Sequence, residues 1–352
     1  LPQRRKTIVS TQTRGAHQAV GRPSVKLSDV AAAADVAPMT VSRVLNTPER
    51  VSAETAQRVR AAIDRLGYVP NLVAGGLSSR RTRMVAAIVP TMAHPMFVEL
   101  VQNFTDALRA QGYEVMLSLS GYGDVNETTL VRAVLARRPD ALLLTGASHD
   151  APTRQMLADA AIPVVEIFDV ARRPIDMLVG VDHAAVGTAV AGYFRAKGHD
   201  RFAVFAAADP RARIRGAAFA EAARAAGGTV LAETVIPAPS TIAAGRAALR
   251  ALLPSLDRRT ALFCSSDVVA FGALVEARAH GLAVPDRLAV CGFGDFELSA
   301  ASDPPFTTVS VEGARIGRHA AGFLLERLMA TGAPSRARRV KVPFRIVERA
   351  SS

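Results

Sequence analysis

Tryptophan is absent from the 352 residues, and aromatic side chains make up only 5% of them. An RNA-stacking surface or an aromatic sugar platform is therefore not expected. Cysteine is nearly absent too. Cys264 and Cys291 both sit in apolar runs, Leu262-Phe263-Cys264 and Val290-Cys291. Two such residues cannot build a disulfide framework or a four-ligand zinc site, and they read as buried free thiols. No run approaches the 18 apolar residues that a membrane span requires. The basic start (Arg4, Arg5, Lys6) lacks the apolar segment of a secretory signal, so a cytosolic protein is expected. The motifs of catalysis are missing as well. There is no phosphate-binding Gly-Lys loop, no metal-ligand spacing and no nucleophile elbow, and Gly292-Phe293-Gly294 lacks the third glycine of a dinucleotide fingerprint. No catalytic residue, cofactor or metal is assigned, and an enzyme is not expected.

What is present is a globular composition, 49% hydrophobic and 21% charged, in a length that suits two or three domains. The charge is unevenly spread. Residues 1–82 hold thirteen lysines and arginines against five acids, a surplus of eight out of a net +12 for the whole chain. A basic module joined to a near-neutral domain suits binding to a polyanion; a solvated basic tail is the plainer alternative.

Residues 1–24 are rich in Thr, Gln, Arg and Gly without periodicity and read as a disordered arm. The next segment, 25–70, reads as three short helices. The first opens at Ser28-Asp29 and carries Leu27, Val30, Ala31 and Ala34 on one face. Asp35-Val36-Ala37 is a turn, and Pro38 starts the second helix, which stops near Asn46-Thr47-Pro48. Ser52 caps the third, which buries Val59, Ala62, Ile63 and Leu66 before Gly67 ends it. Two short helices about a tight turn, with a third in support, is helix-turn-helix geometry.

Asp29-Val30-Ala31, Thr40-Val41-Ser42-Arg43-Val44-Leu45-Asn46, Val51-Ser52 and Leu66-Gly67-Tyr68-Val69-Pro70-Asn71 resemble the DNA-binding headpiece of the lactose-repressor (LacI) family. Two positions depart from the family pattern. Asp35 stands where Gly is usual, and Ala37 where Ser is usual, so the second helix lacks a side-chain cap worth about 1 kcal/mol.

From Arg83 onward apolar strands alternate with helices. Strands are expected at 84–89, 113–119, 141–144, 164–168, 178–181, 202–205, 261–264 and 288–292, and helices at 97–110, 184–196, 213–226, 241–252 and 268–279. Such alternation implies parallel sheets covered on both faces. The fold class is α/β: a headpiece followed by a periplasmic-binding-protein-like domain of two Rossmann-like subdomains. The first subdomain is expected to comprise 83–182 and 311–331, the second 183–310 and 332–352, with ligand between them at the carboxyl ends of the strands. Ser266-Asp267-Val268-Val269-Ala270-Phe271-Gly272 and Val290-Cys291-Gly292-Phe293 continue the family resemblance, which covers about 25–350.

The resemblance implies the candidate contacts. In the headpiece Arg43 can read guanine as a two-pronged donor, while Pro38 and Met39 can sense only shape or a thymine methyl. Ser28, Thr40, Ser42, Asn46, Ser52 and Thr55 suit phosphate oxygens, Arg50 either role, and Tyr68 is included with them. Residues 71–82 match a hinge helix and linker. Asn71, Ala74 and Leu77 are its contacts, with Leu77 as a wedge for the minor groove. Gly75 and Gly76 weaken that helix, so 71–78 is expected to fold only on operator. In the ligand domain either Arg213 or Arg215 matches the family's clamp. Thr145, His149, Glu166, Ser266, Asp267 and Asp295 are the other candidate effector contacts. Gly294-Asp295 departs from the family's pair of acids, and Asp267 reads equally as a helix cap. Gly121-Tyr122, His149, Val164-Val165-Glu166 and Val179-Gly180 resemble the family's gluconate-operon regulators. The resulting expectation is a homodimeric repressor that binds pseudo-palindromic operator DNA and a small effector, most simply a sugar acid. A sugar-transport protein and an α/β enzyme are the alternatives from other classes.

Overall fold

The computed structural model describes residues 25–69, 81–122, 127–330 and 338–352. The chain divides into two compact units, Leu1–Arg80 and Arg81–Ser352.

In the first unit, helix α1 spans Leu27–Ala33, α2 Pro38–Asn46 and α3 Ala53–Leu66. Val30, Ala31, Ala34, Val41, Val44, Ala56, Val59 and Ala62 form its buried core. Each helix end has a local cause. At α1 the Asp29 carboxylate accepts the Lys26 backbone N–H at 2.8 Å. Asp35 takes the left-handed conformation, φ 52°, that the turn into α2 requires. Helix α2 starts with proline and has no side-chain cap at Ala37, as its sequence implies. The Ser52 hydroxyl accepts the Thr55 N–H to cap α3, and Gly67 ends that helix at φ 62°.

The second unit contains two six-stranded sheets. The first comprises β1 (Met84–Val89), β2 (Glu114–Leu119), β3 (Ala141–Thr145), β4 (Val164–Phe168), β5 (Met177–Gly180) and β11 (Arg339–Lys341), in the order β11-β5-β4-β3-β1-β2. All of its pairings are parallel. Helices α4 (Pro95–Arg109), α5 (Glu127–Leu135), α6 (Ala151–Ala160) and α12 (Gly313–Met329) accompany it. The β1 side chains alternate between two cores: Val85, Ala87 and Val89 face one, Ala86 and Ile88 the other. That is why a strand covered on both faces reads as a continuous apolar run.

The second sheet comprises β6 (Arg201–Ala207), β7 (Thr229–Ile236), β8 (Thr260–Cys264), β9 (Leu288–Phe293), β10 (Thr307–Ser310) and β12 (Arg345–Val347), in the order β12-β10-β9-β8-β6-β7. Only β12 runs antiparallel. Its helices are α7 (His183–Ala196), α8 (Pro210–Ala225), α9 (Ile242–Leu252), α10 (Asp267–Ala279) and the short α11 (Glu297–Ala301). Helices α7 and α8 approach so closely that a Cβ on Gly187 would lie 2.2 Å from the Arg215 carbonyl oxygen.

The chain passes between the sheets three times, at 181–182, 311–312 and 342–344. The last passage corrects the expectation that 332–352 belongs wholly to the second subdomain. Strand β11 pairs with β5 of the first sheet, and the Val342 N–H reaches the Gly180 carbonyl at 2.8 Å, so the change of sheet comes ten residues later. A three-residue edge strand, Arg339-Val340-Lys341, carries no apolar run to announce it.

Candidate functional site

In the headpiece α2 presents one face to the core through Val41 and Val44 and leaves the other free. Ser28, Pro38, Met39, Arg43, Asn46, Arg50 and Ser52 are exposed; Thr40, Ser42, Thr55 and Tyr68 are half-buried. Met39 is 62% exposed, far more than a methionine held for packing would be. Some of these donors are already engaged. The Asn46 amide donates to the Ser42 carbonyl at 2.9 Å, Ser52 caps α3, and Tyr68 packs on the headpiece core. Arg43 makes no side-chain hydrogen bond or ion pair among the described residues. Asn71, Ala74 and Leu77 lie outside the described residues.

In the large unit a cleft of about 510 Å³, including its mouth, lies between the two sheets at the carboxyl ends of β4, β6, β8 and β9. A cleft between two subdomains, lined by rings and a few polar groups, is a usual place for a small ligand. The first subdomain contributes His94, Met96, Phe97, Tyr122 and Phe168; the second contributes His183, Asp209, Arg211, Arg215, Ser240, Ser265, Ser266, Phe293 and Phe296, with Ala207 beneath. Despite the sparse aromatic content of the chain, five of its phenylalanine and tyrosine rings converge here. Phe97 and Phe168 meet edge to face, their centroids 5.1 Å apart. Phe168 holds φ 73°, a costly conformation for a bulky side chain and one that marks functional sites.

Arg215 is the centre of this wall. It is 5% exposed, its guanidinium lies 3.8 Å from the Phe293 ring centroid, and Nη2 donates to the Ser265 carbonyl at 2.9 Å. Nη1 is 3.0 Å from His183 Nδ1, and Nε has no partner. Burial lowers its pKa to about 10, partly countered by Asp209, and Arg215 stays charged at neutral pH. No carboxylate forms an ion pair with it among the described residues. Asp209 caps α8 through the Ala212 N–H and stands 4.0 Å from Arg211. Burial pushes the Tyr122 phenol up to about 12, and it lowers the His94 pKa, so both stay uncharged at neutral pH. Of the two candidate arginines, Arg213 is exposed and Arg215 lies in the wall of the cleft.

Of the other expected contacts only Ser266 lines the cleft, where its hydroxyl also caps α10 through the Val268 N–H. The expectation that the rest surround Arg215 is corrected. Thr145 donates to the Ile88 carbonyl. His149 is enclosed by Glu127 at 3.0 Å and Glu166 at 3.3 Å. Burial alone would lower its pKa, but the two carboxylates outweigh that and raise it to about 9. Glu166 also accepts the Ile175 N–H. Asp295 pairs with Arg349 at 2.7 Å. Asp267 is fully buried, accepting from Phe296 N–H at 2.8 Å and from the Thr308 hydroxyl at 2.5 Å, and burial lifts its pKa to about 7. All five spend their polarity on protein partners. The sequence reading missed His94, His183, Asp209, Arg211, Phe293 and Phe296. Their only signal was position at the end of an apolar strand or the start of a helix.

A helix-turn-helix unit followed by a two-subdomain ligand-binding unit defines a DNA-binding transcriptional regulator. The comparisons agree. The model for bacterial regulatory proteins of the lacI family matches residues 26–71, and that for a periplasmic binding protein-like domain matches 191–352. The chain is 36% identical over 310 residues to the HTH-type transcriptional regulator GntR of Pseudomonas aeruginosa, covering 87% of this chain and 89% of the relative. It is 31% identical to the GntR regulator of Escherichia coli K12, covering 86% and 91%. A LacI-family regulator from Silicibacter pomeroyi superposes with a TM-score of 0.85 at 31% identity, covering 93% of this chain and 99% of that one. The lac repressor dimer bound to operator and the anti-inducer ONPF gives 0.79 at 25% identity, covering 93% and 99%. The chain belongs to the lacI family of bacterial regulatory proteins.

Proposed function

We propose that this protein is a homodimeric, effector-controlled repressor of an operon for the catabolism of a gluconate-like sugar acid. One observation carries the choice of effector. Arg215 is a buried cation whose anchors, a carbonyl and an imidazole, are both neutral. Asp209 offsets only part of the cost of burying this charge, and an anionic ligand in contact with the guanidinium would offset more of it. A planar carboxylate fits the planar donors of the guanidinium, with Arg211 beside it. The ring-rich wall suits the C–H faces of a carbon chain, and the serine hydroxyls and Tyr122 suit its hydroxyl groups. The resemblance to gluconate-operon regulators and the GntR relatives support the same reading.

In the headpiece Arg43 reads a base and the short hydroxyl side chains hold phosphates, as the exposure of the outer α2 face allows. Effector that binds one arrangement of the subdomains better than another changes operator affinity by that difference. The protein acts where its operator lies, in the cytoplasm. The test is calorimetric titration with gluconate and related sugar acids beside neutral sugars, on the wild type and Arg215→Ala. The expected result is sugar-acid binding that Arg215→Ala weakens at least 10-fold, about 1.4 kcal/mol. Tight binding of a neutral sugar, or binding indifferent to Arg215, would overturn the choice of effector. Gel shifts with the protein's own upstream DNA, with and without ligand, test the repressor reading.

A further inference from the structure

Arg215 has five N–H donors and spends one on the Ser265 carbonyl and one on His183. A guanidinium cannot accept, so His183 Nδ1 must be the acceptor and carry no proton. The imidazole is therefore the Nε2–H tautomer. His183 is 4% exposed, and burial together with Arg215 and Arg211 lowers its pKa to about 2, against a smaller opposing effect of the Phe168 backbone, so it stays neutral. Its Nε2 has no hydrogen-bond partner, and the ring leans edge-on toward Phe293 at 6.2 Å, the same ring on which Arg215 lies.

We propose that His183 is the positioning residue that reserves the charge of Arg215 for the effector. The proposal rests on the reading of Arg215 as the anion's anchor. A carboxylate at this position would hold the guanidinium equally well, but it would neutralise it permanently. A leucine would leave it held only by the Ser265 carbonyl. A neutral acceptor does both tasks: it fixes the orientation of the fork and leaves the positive charge and three donors unspent. The place in the chain adds to this. His183 opens α7 directly after the first passage between subdomains, and the Val181 N–H there binds the carbonyl of strained Phe168, another wall residue. The residue that orients the anchor thus stands at a strand that joins the two halves.

The experiment compares His183→Asn, His183→Asp and the wild type in the full chain, by calorimetry with gluconate and by thermal unfolding. Asparagine keeps a neutral acceptor and should bind within about 3-fold of wild type. Aspartate should lose at least 100-fold in affinity while melting no lower than asparagine, because it gains an ion pair with Arg215. A merely structural histidine would not separate stability from binding in this way. Gluconate binding by His183→Asp equal to wild type, or a loss in His183→Asn as large as in His183→Asp, would overturn the proposal. Nitrogen-15 spectra of labelled histidine in the ligand-free wild type provide a second readout that does not depend on ligand binding. An Nε2–H tautomer is expected for the signal missing from His183→Asn; an Nδ1–H form or an imidazolium would overturn it. If the wild type binds no sugar acid, the effector assignment falls and the tautomer alone judges His183.

Discussion

Arg215 and His149 show how differently two buried cations can be treated. Arg215 keeps neutral hydrogen-bond partners and lines the cleft between the sheets; His149 is surrounded by carboxylates and has nothing left to offer a ligand. Its Nδ1 faces Glu127, and its Nε2–H is directed at the Gly146 carbonyl, 3.2 Å away, with Glu166 at ion-pair distance. Both ring nitrogens donate, so the ring is the imidazolium. Its pKa near 9 exceeds the ordinary 6.5 of the unfolded chain. The stabilisation is then fully present below about pH 6.5 and lost as pH rises through 9. It amounts to at most about 3 kcal/mol. Urea unfolding at pH 6.5 and pH 9.5 should show the wild type losing more stability than His149→Gln over that interval. Equal losses would mean that His149 does not carry the charge.

Helix packing in the ligand domain depends on glycine at the crossings. Helices α7 and α8 meet at Gly187, where a methyl group would also lie 2.8 Å from the Phe219 backbone nitrogen. Neither atom can move without shifting α8, which carries Arg215. Gly187→Ala should therefore cost about 2–3 kcal/mol and weaken effector binding. Gly192 lies on the same helix with nothing within 4 Å of its Cβ position. Gly192→Ala should instead stabilise by up to about 1 kcal/mol through helix propensity. Thermal unfolding of the pair checks this: two changes of the same sign would contradict the close approach. Strand β10 shows the opposite relation between composition and burial. Thr307-Thr308-Val309-Ser310 reads as polar yet is wholly buried, because Thr308 donates to Asp267 and Thr307 to the Arg349 carbonyl.

For the molecule as a whole, the concentration of positive charge in the first 82 residues predicts how operator affinity responds to salt. Each phosphate neutralised releases condensed counterion, so log affinity should fall linearly with log salt, with a slope of about −0.9 per contact. Arg43→Ala should cost about 1–3 kcal/mol per half-site and relax discrimination at one base pair. Titration of operator and random DNA at several salt concentrations separates the two effects. An unchanged ratio of specific to random binding would remove Arg43 from base reading.

The amino-acid sequence by itself determined the headpiece and the alternating α/β order, because both rest on local physics. Caps at Ser52 and Gly67, the proline at 38 and the apolar runs of β1, β4 and β9 act through neighbours a few residues away. It also marked an arginine near 213–215 as a candidate clamp, through family resemblance. Which of the candidate polar groups meet in one cavity was decided only by the tertiary structure. His149, Glu166, Asp267 and Asp295 resemble ligand contacts in one dimension, but each lies beside a partner far along the chain that takes up its charge or hydrogen bonds. His94, His183, Phe293 and Phe296 come together only because two sheets place their strand ends opposite one another. Spacing along a chain reports the face of one element; the contents of a cleft depend on how separate elements pack.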